Sequence, residues 1–338
     1  MKGIFCTPRA VFICFALFFA ASSAHAVTLT YSTFFPPTHI QAVTSENWCK
    51  EVEKRTDGRV KFQFFPGQTL TRAPQTYEAV TDGIADVGVA ALAYTQGRFP
   101  VMSSLDMPLG YPSGTVATKA ANALFDKMNP AEFDSAKVMY FHGHGPGYIH
   151  TRKVPVKKLE DLKGLRIRST GMSANIVTAL GGTPVSMAMP DTYQSLQRGV
   201  VDGSFHPVET DKGWNMGEVV KYLTIAKPAA YTTTFYVVMN KSKWNKISPE
   251  DQKVIEEINK EWALKHGEAW DSSDVEGMAF FKEKGGTVIT LDDAESARWA
   301  TAVQPVIDNH IKLLNDMKID CAAVFDNIKK VVATGDAQ

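Results

Sequence analysis

Cysteine is scarce in this 338-residue chain: there are four, and two of them, Cys6 and Cys14, sit in the N-terminal run. Cys49 and Cys321 remain, too few for a disulfide-knit framework, and the sequence leaves open whether they pair. Net charge is absent as well, since 36 basic residues balance 36 acidic ones. That balance excludes a polybasic surface of the kind that grips nucleic acid or an anionic membrane. After the N-terminus no apolar run approaches the ~20 residues a spanning helix needs. The short signatures of common enzymes are missing too: no G-x-S-x-G, no G-x-x-x-x-G-K, no H-E-x-x-H. Gly143-His144-Gly145-Pro146-Gly147 is glycine-rich, but no helix pattern follows it, so it cannot seat a pyrophosphate on a helix N-terminus. No internal repeat and no low-complexity segment is visible.

What is present begins with an export signal. Lys2 and Arg9 precede an apolar run from Ala10 to Ala21, and Ala24-His25-Ala26 supplies a small–x–small cleavage pattern. Residues 1–26 are therefore expected to be a signal peptide and the mature chain to begin near Val27, in the periplasm. Losing Lys2 and Arg9 leaves a mature net charge of about −2.

The mature chain alternates strand and helix patterns. Val27–Ser32, Val60–Phe65 and the apolar run Ile84–Ala90 predict strands, with helices from a Thr38 cap to Arg55 and through Tyr77 and Val80. Ser113–Met128 predicts a helix and Lys137–Phe141 a strand. A second unit follows: strands at Tyr148–Arg152, Leu165–Arg168 and Val200–Gly203, with helices at Asn175–Leu180 and Asp191–Arg198. Such alternation means an α/β fold with parallel or mixed sheets, whose ligands sit beyond the carboxyl ends of the strands. Tyr231–Asn240 then predicts a long strand. Ser248-Pro249-Glu250-Asp251 opens a helix that could run to Lys284, about 50 Å, unless Gly267 and Gly277 break it. A long strand and a long helix in succession suit a tie between two lobes. The expected division is 27–147 plus 236–273 for the first lobe and 148–235 plus 274–331 for the second.

Two constellations could carry chemistry. His142 and His144, with His150 beyond, offer imidazoles for a metal, and the alternative function is a secreted metal-dependent hydrolase built on these three. His144 can equally give a single polar contact. The second constellation is Arg166-Ile167-Arg168. A buried arginine at a strand end is costly unless an anion meets it, and its planar fork matches a carboxylate. A salt bridge within the protein is the plain alternative.

Four segments then resemble a known family: Gly83-Ile84-Ala85-Asp86-Val87-Gly88; Asp161-Leu162-Lys163-Gly164-Leu165-Arg166-Ile167-Arg168; Leu180-Gly181-Gly182-Thr183-Pro184-Val185; and Tyr193-Gln194-Ser195-Leu196-Gln197-Arg198-Gly199-Val200-Val201-Asp202-Gly203. Their order and spacing are similar to the extracytoplasmic solute receptors of tripartite ATP-independent periplasmic (TRAP) transporters, dicarboxylate-receptor type. The resemblance implies a two-lobed binding protein, without catalysis or cofactor, that closes on a small carboxylate and delivers it to membrane subunits driven by an ion gradient. A monomer is expected. The family's carboxylate-anchoring arginine falls on Arg168, and the position where an asparagine often contacts the ligand holds His206. The second arginine of some sialic-acid receptors has no counterpart near Pro146–Tyr148. Phe34, Phe35, Tyr94, Met172, Met189 and Phe235 fall at the remaining places expected to line the site. Their bias points to a monocarboxylate with an apolar or aromatic body. A sensory receptor that presents its ligand to a signalling partner is a third possibility.

Overall fold

The computed structural model describes residues 26–336, so the export signal expected at 1–26 lies almost wholly outside the described residues. The first half opens with β1 (Val27–Thr33), α1 (Ile40–Arg55), β2 (Val60–Phe65), α2 (Thr76–Thr81), β3 (Val87–Ala91), α3 (Gly114–Met128) and β4 (Ala136–Gly143). After a three-residue crossing come β5 (Gly147–Thr151), β6 (Arg166–Ser169), α4 (Met172–Ala179), β7 (Thr183–Ser186), α5 (Thr192–Arg198), β8 (Gly203–Pro207), α6 (Thr210–Gly213) and β9 (Tyr222–Ile225). The chain closes with β10 (Thr234–Asn240), α7 (Lys241–Trp244), α8 (Pro249–Glu283), β11 (Thr287–Thr290), α9 (Asp293–Asp316) and α10 (Cys321–Thr334).

These strands form two mixed sheets. The first has the order β2-β1-β3-β10-β4 and the second β11-β9-β5-β8-β6-β7. β1 pairs parallel with β2 and β3, whereas β10 runs antiparallel to β3 and β4. In the second sheet β6 is parallel to β7 and β8, and β5 is antiparallel to β8 and β9. Each sheet has its own apolar centre. Tyr31, Trp48, Val89 and Tyr236 are buried around the first, and Ile149, Ile167, Phe205 and Trp299 around the second. The chain crosses between the lobes from β4 to β5, from β9 to β10, along α8 and again from α9 to α10. Gly147 and Tyr231 form an isolated antiparallel bridge where the first two passages meet.

α8 is the third tie. Ser248 caps it, its Oγ accepting from Asp251 N at 3.1 Å, and it runs unbroken for 35 residues, about 52 Å. Its two glycines do not break it; they let it approach its neighbours. A Cβ on Gly267 would meet Thr115 Cα at 2.9 Å, and one on Gly277 would meet the Val208 carbonyl oxygen at 2.2 Å. α8 is thus pinned to α3 in one lobe and to the β8–α6 connection in the other.

Several expectations shift. β3 starts at Val87, because Gly83 takes φ +79° in a helix-ending turn and Ile84 is left exposed. β8 likewise starts at Gly203, since Gly199 ends α5 in the left-handed region and Val200 N still bonds back to Ser195 O. The regular part of the long strand is Thr234–Asn240. The sequence assigns 274–331 to the second lobe, but α10 packs on α3 in the first, burying Val324, Phe325, Ile328 and Val331. Cys49 and Cys321 are both free: the first is buried in α1, and the second sits at the start of α10 beside Ile311 O. Among the described residues no helix is long and apolar enough to cross a membrane.

Candidate functional site

Between the lobes lies a narrow cleft lined by residues of both. Elements of the first lobe, with α8, supply one wall: Phe34 and Phe35 from the break after β1, Tyr94 after β3, His144 at the crossing, Phe235 on β10 and Trp270 on α8. Their rings form a continuous aromatic surface. Phe34 and Phe35 lie 4.1 Å apart, Phe34 and Phe235 stack at 6.2 Å, and Phe235 stacks on Trp270 at 5.3 Å. The indole of Trp270 is held in place because its Nε1 donates to His142 Nδ1 at 3.0 Å.

The second lobe supplies the polar wall. Arg168 projects from β6 and is 2% exposed. Its Nε donates to Met187 O at 3.0 Å, and among the described residues no carboxylate comes within the 4.0 Å of an ion pair. Arg166, two residues earlier on the same strand, is the opposite case: exposed, and paired with both oxygens of Asp202 at 3.0 Å. A guanidinium buried without a counter-charge costs several kcal/mol, so Arg168 is poised for an anion in the cavity. Beside it, Tyr94 Oη accepts from Met189 N at 3.2 Å, which leaves its own proton to donate into the cavity.

Two further polar groups here are acceptors. His144 Nδ1 donates to Gly145 O at 2.5 Å, so its Nε2 is a lone pair. Burial holds the imidazole neutral, its pKa lowered to about 4. Glu209, just after β8, is buried and lines the cavity. His39 Nδ1 accepts from Gln41 N, so its Nε2 carries the proton that faces Glu209 Oε2 at 3.2 Å. One Glu209 oxygen is therefore occupied by a neutral donor, and the carboxylate keeps capacity for another.

Of the nine expected site residues, the cavity brings together Arg168, Phe34, Phe35, Tyr94, His144, Met189 and Phe235. Two fall elsewhere. His206 does not line it, because its ring is committed to a stack on His150 at 3.9 Å and to the vicinity of Asp211. Met172, at the start of α4, sits in a separate surface depression against Pro305 and His310 of α9. Trp270, Trp214, Thr170 and Glu209 line the cavity without having been expected. Trp270 could have been found by following one face of the spanning helix, where Trp262, His266 and Trp270 recur at helical spacing and are all buried.

The three histidines of the hydrolase alternative are not one site. His142 is buried against His266, with ring centroids 4.4 Å apart, and supports Trp270. His144 faces the cavity, and His150 belongs to the second sheet, with its Nε2 on Asp211 at 3.1 Å. β4 and β5 lie in different sheets, so proximity in sequence does not become proximity in space.

The comparisons follow the same lines. A model of the bacterial extracellular solute-binding proteins, family 7 (DctP), matches residues 31–313. The chain belongs to this family. As a family 7 protein it is similar to a TRAP periplasmic solute-binding protein from Desulfovibrio salexigens, at 34% identity over 92% of this chain and 97% of that one, TM-score 0.80. That structure is an open complex with the C-terminus of a symmetry mate in its ligand-binding site. A TRAP solute-binding protein from an unidentified marine microbe, specific for aromatic acids and holding 3-hydroxybenzoate, matches at 28% identity over 91% of this chain and 98% of that one, TM-score 0.86. The 2,3-diketo-L-gulonate-binding periplasmic protein YiaO of Escherichia coli K12 is 28% identical over 250 residues, 73% of this chain and 76% of its own. The four motif segments thus identify the family correctly, and the two-lobed α/β architecture is the family's.

Proposed function

We propose that this family 7 protein is a non-catalytic receptor for a monocarboxylic acid with an aromatic body and a hydrogen-bond donor, held outside the cytoplasm and delivered to TRAP-type membrane subunits. Kinship alone does not select the ligand. A relative named for a keto sugar acid and one specific for aromatic acids are equally distant, at 28% identity. The lining of the cleft supports the aromatic acid. One observation carries it: Arg168, 2% exposed and without a carboxylate partner, faces a wall made of Phe34, Phe35, Phe235 and Trp270.

The carboxylate would take the free edge of the guanidinium in a charge-assisted pair, helped by the Tyr94 hydroxyl. The ring would stack on the aromatic wall, where an aromatic pair adds about 0.5–1.5 kcal/mol beyond its buried area. A polyhydroxylated sugar acid would instead bury those of its hydroxyls that face the aromatic wall without a partner, at about 1–3 kcal/mol each. Glu209 and the His144 lone pair are acceptors, so they favour a ligand hydroxyl and disfavour a second carboxylate. The lobes, taken as 27–147 plus 236–273 and 148–235 plus 274–316, would close about the β4–β5 and β9–β10 crossings and α8, removing water from the pair and strengthening it.

The test is identification, by mass spectrometry, of the small molecule released when the purified protein is denatured. An aromatic monocarboxylate is expected. A sugar acid or a dicarboxylate overturns the ligand class.

A further inference from the structure

Behind the polar wall lies a second buried cluster that ligand binding does not use. His150 on β5 and His206 on β8 are diagonal neighbours on paired antiparallel strands, with register His150↔Ser204 and Tyr148↔His206. Asp211 of α6 faces both: its Oδ2 is 3.1 Å from His150 Nε2 and its Oδ1 is 3.9 Å from His206 Nε2. All three side chains are fully buried, and their ligating atoms lie within 4.8 Å of one another.

The protonation pattern makes this arrangement unusual. His150 Nδ1 is 3.1 Å from the Tyr148 carbonyl oxygen. A carbonyl only accepts, so Nδ1 carries a proton, and a second positive centre, a proton or a metal ion, must lie between Nε2 and the carboxylate oxygen it faces. His206 Nδ1 is taken by Ser204 Oγ at 2.8 Å. His206 Nε2 and Asp211 Oδ1 are buried with no hydrogen-bond partner. Groups left this way in an apolar interior are costly unless a shared positive centre meets them.

We propose that His150, His206 and Asp211 form a binding site for a divalent transition-metal ion of the zinc class. His150 Nε2, His206 Nε2 and the Asp211 carboxylate are the ligands. Two imidazoles and a carboxylate suit such ions, and with both carboxylate oxygens engaged the set reaches four donors. The outer contacts fit as well: each ring has its Nδ1 fixed by a second group, Tyr148 O or Ser204 Oγ, which turns its Nε2 inward. The ion would join β5, β8 and α6. The turn between His206 and Asp211 carries Pro207, Glu209 and Thr210, all lining the ligand cavity, so the ion would fix the polar wall without touching the ligand.

The test is zinc binding to chelator-treated protein, read as metal content after desalting and as a shift in melting temperature. About one zinc per chain and a raised melting temperature are expected for the wild type. His206→Gln and Asp211→Asn should each lose that zinc, with far-UV circular dichroism unchanged. Where either variant fails to fold, the wild type with Co²⁺ decides, through the intense visible absorption of a four-coordinate nitrogen–oxygen site. Wild type that takes up no zinc, equal uptake by wild type and both folded variants, or a Co²⁺ spectrum indistinguishable from the free ion overturns the proposal. The cluster is then an imidazolium–aspartate pair, with a second proton on His150 in place of the metal.

Discussion

The two walls of the cavity are built from different materials. The first-lobe wall is apolar: Phe34, Phe35, Phe235 and Trp270 touch one another and can accept any flat body of the right size. The second-lobe wall holds a buried cation, Arg168, and a buried carboxylate, Glu209, each with hydrogen-bonding capacity left over. The apolar wall contributes affinity that scales with area. The polar wall decides which end of the ligand goes where. Both walls line the same cleft, so under the proposed closure a two-lobed receptor would tie its ligand affinity to its conformation.

Breaking the polar wall should have the largest effect. Arg168→Met keeps most of the side-chain volume and removes the cation. Affinity for 3-hydroxybenzoate should fall by about a hundredfold or more, as for one partner lost from a buried charge pair. Calorimetry reads this, and an unchanged affinity would dissolve the contrast between the walls. Breaking the apolar wall comes next. Trp270→Ala removes a stacked ring and should weaken the same ligand by about tenfold to a hundredfold, comparable to other buried aromatic truncations at binding sites. His142 then loses its indole donor, so a modest fall in melting temperature is also expected. A loss equal to that of the Arg168 variant would mean the apolar wall also positions the acid.

Glu209→Gln tests the acceptor. The wild type should prefer 3-hydroxybenzoate over benzoate by about tenfold, the worth of a hydrogen bond to a charged acceptor. In the variant that preference should shrink while benzoate affinity stays near its wild-type value. A preference that survives intact would move the hydroxyl away from Glu209.

The smallest effect lies behind the apolar wall. Burial raises the Asp106 carboxyl to about 8, and its Oδ1 accepts from Thr234 N at 2.8 Å. The folded state therefore holds a proton that the unfolded chain releases near pH 4, so Asp106 lowers stability as pH rises toward about 8 and by a constant amount above it. Asp106→Asn keeps the acceptor and removes the titration. Its melting temperature should gain on the wild type between about pH 4 and pH 8, by a few degrees. A difference that stays flat over that range contradicts the assignment.

The sequence made some of this visible and hid the rest for physical reasons. The place of Arg168 in the cleft lining was legible from its position on β6 near the end of that strand, and that of Phe34 and Phe35 because they fall in a break beyond a strand end. Trp270 was not, since it shares one buried stripe of α8 with Trp262 and His266, and spacing alone does not say which residue of that stripe reaches the cleft. His206 was expected at the site only because it stands where the family often has an asparagine, and its ring instead stacks on His150 outside the cleft lining. Every residue of β8 is buried, so burial does not say which side chain reaches the cleft. Whether Gly267 and Gly277 bend or break the helix was open in the sequence; they are points of close approach, which only the packing of α3 and the β8–α6 connection reveals.

The central claim is that the cavity is built for an aromatic carboxylate. Calorimetry on ligand-free protein with 3-hydroxybenzoate and with D-glucuronate, under the same conditions, tests it most directly. Saturable binding of 3-hydroxybenzoate, with no measurable heat from D-glucuronate, is predicted. Tight binding of D-glucuronate with none of 3-hydroxybenzoate would contradict it.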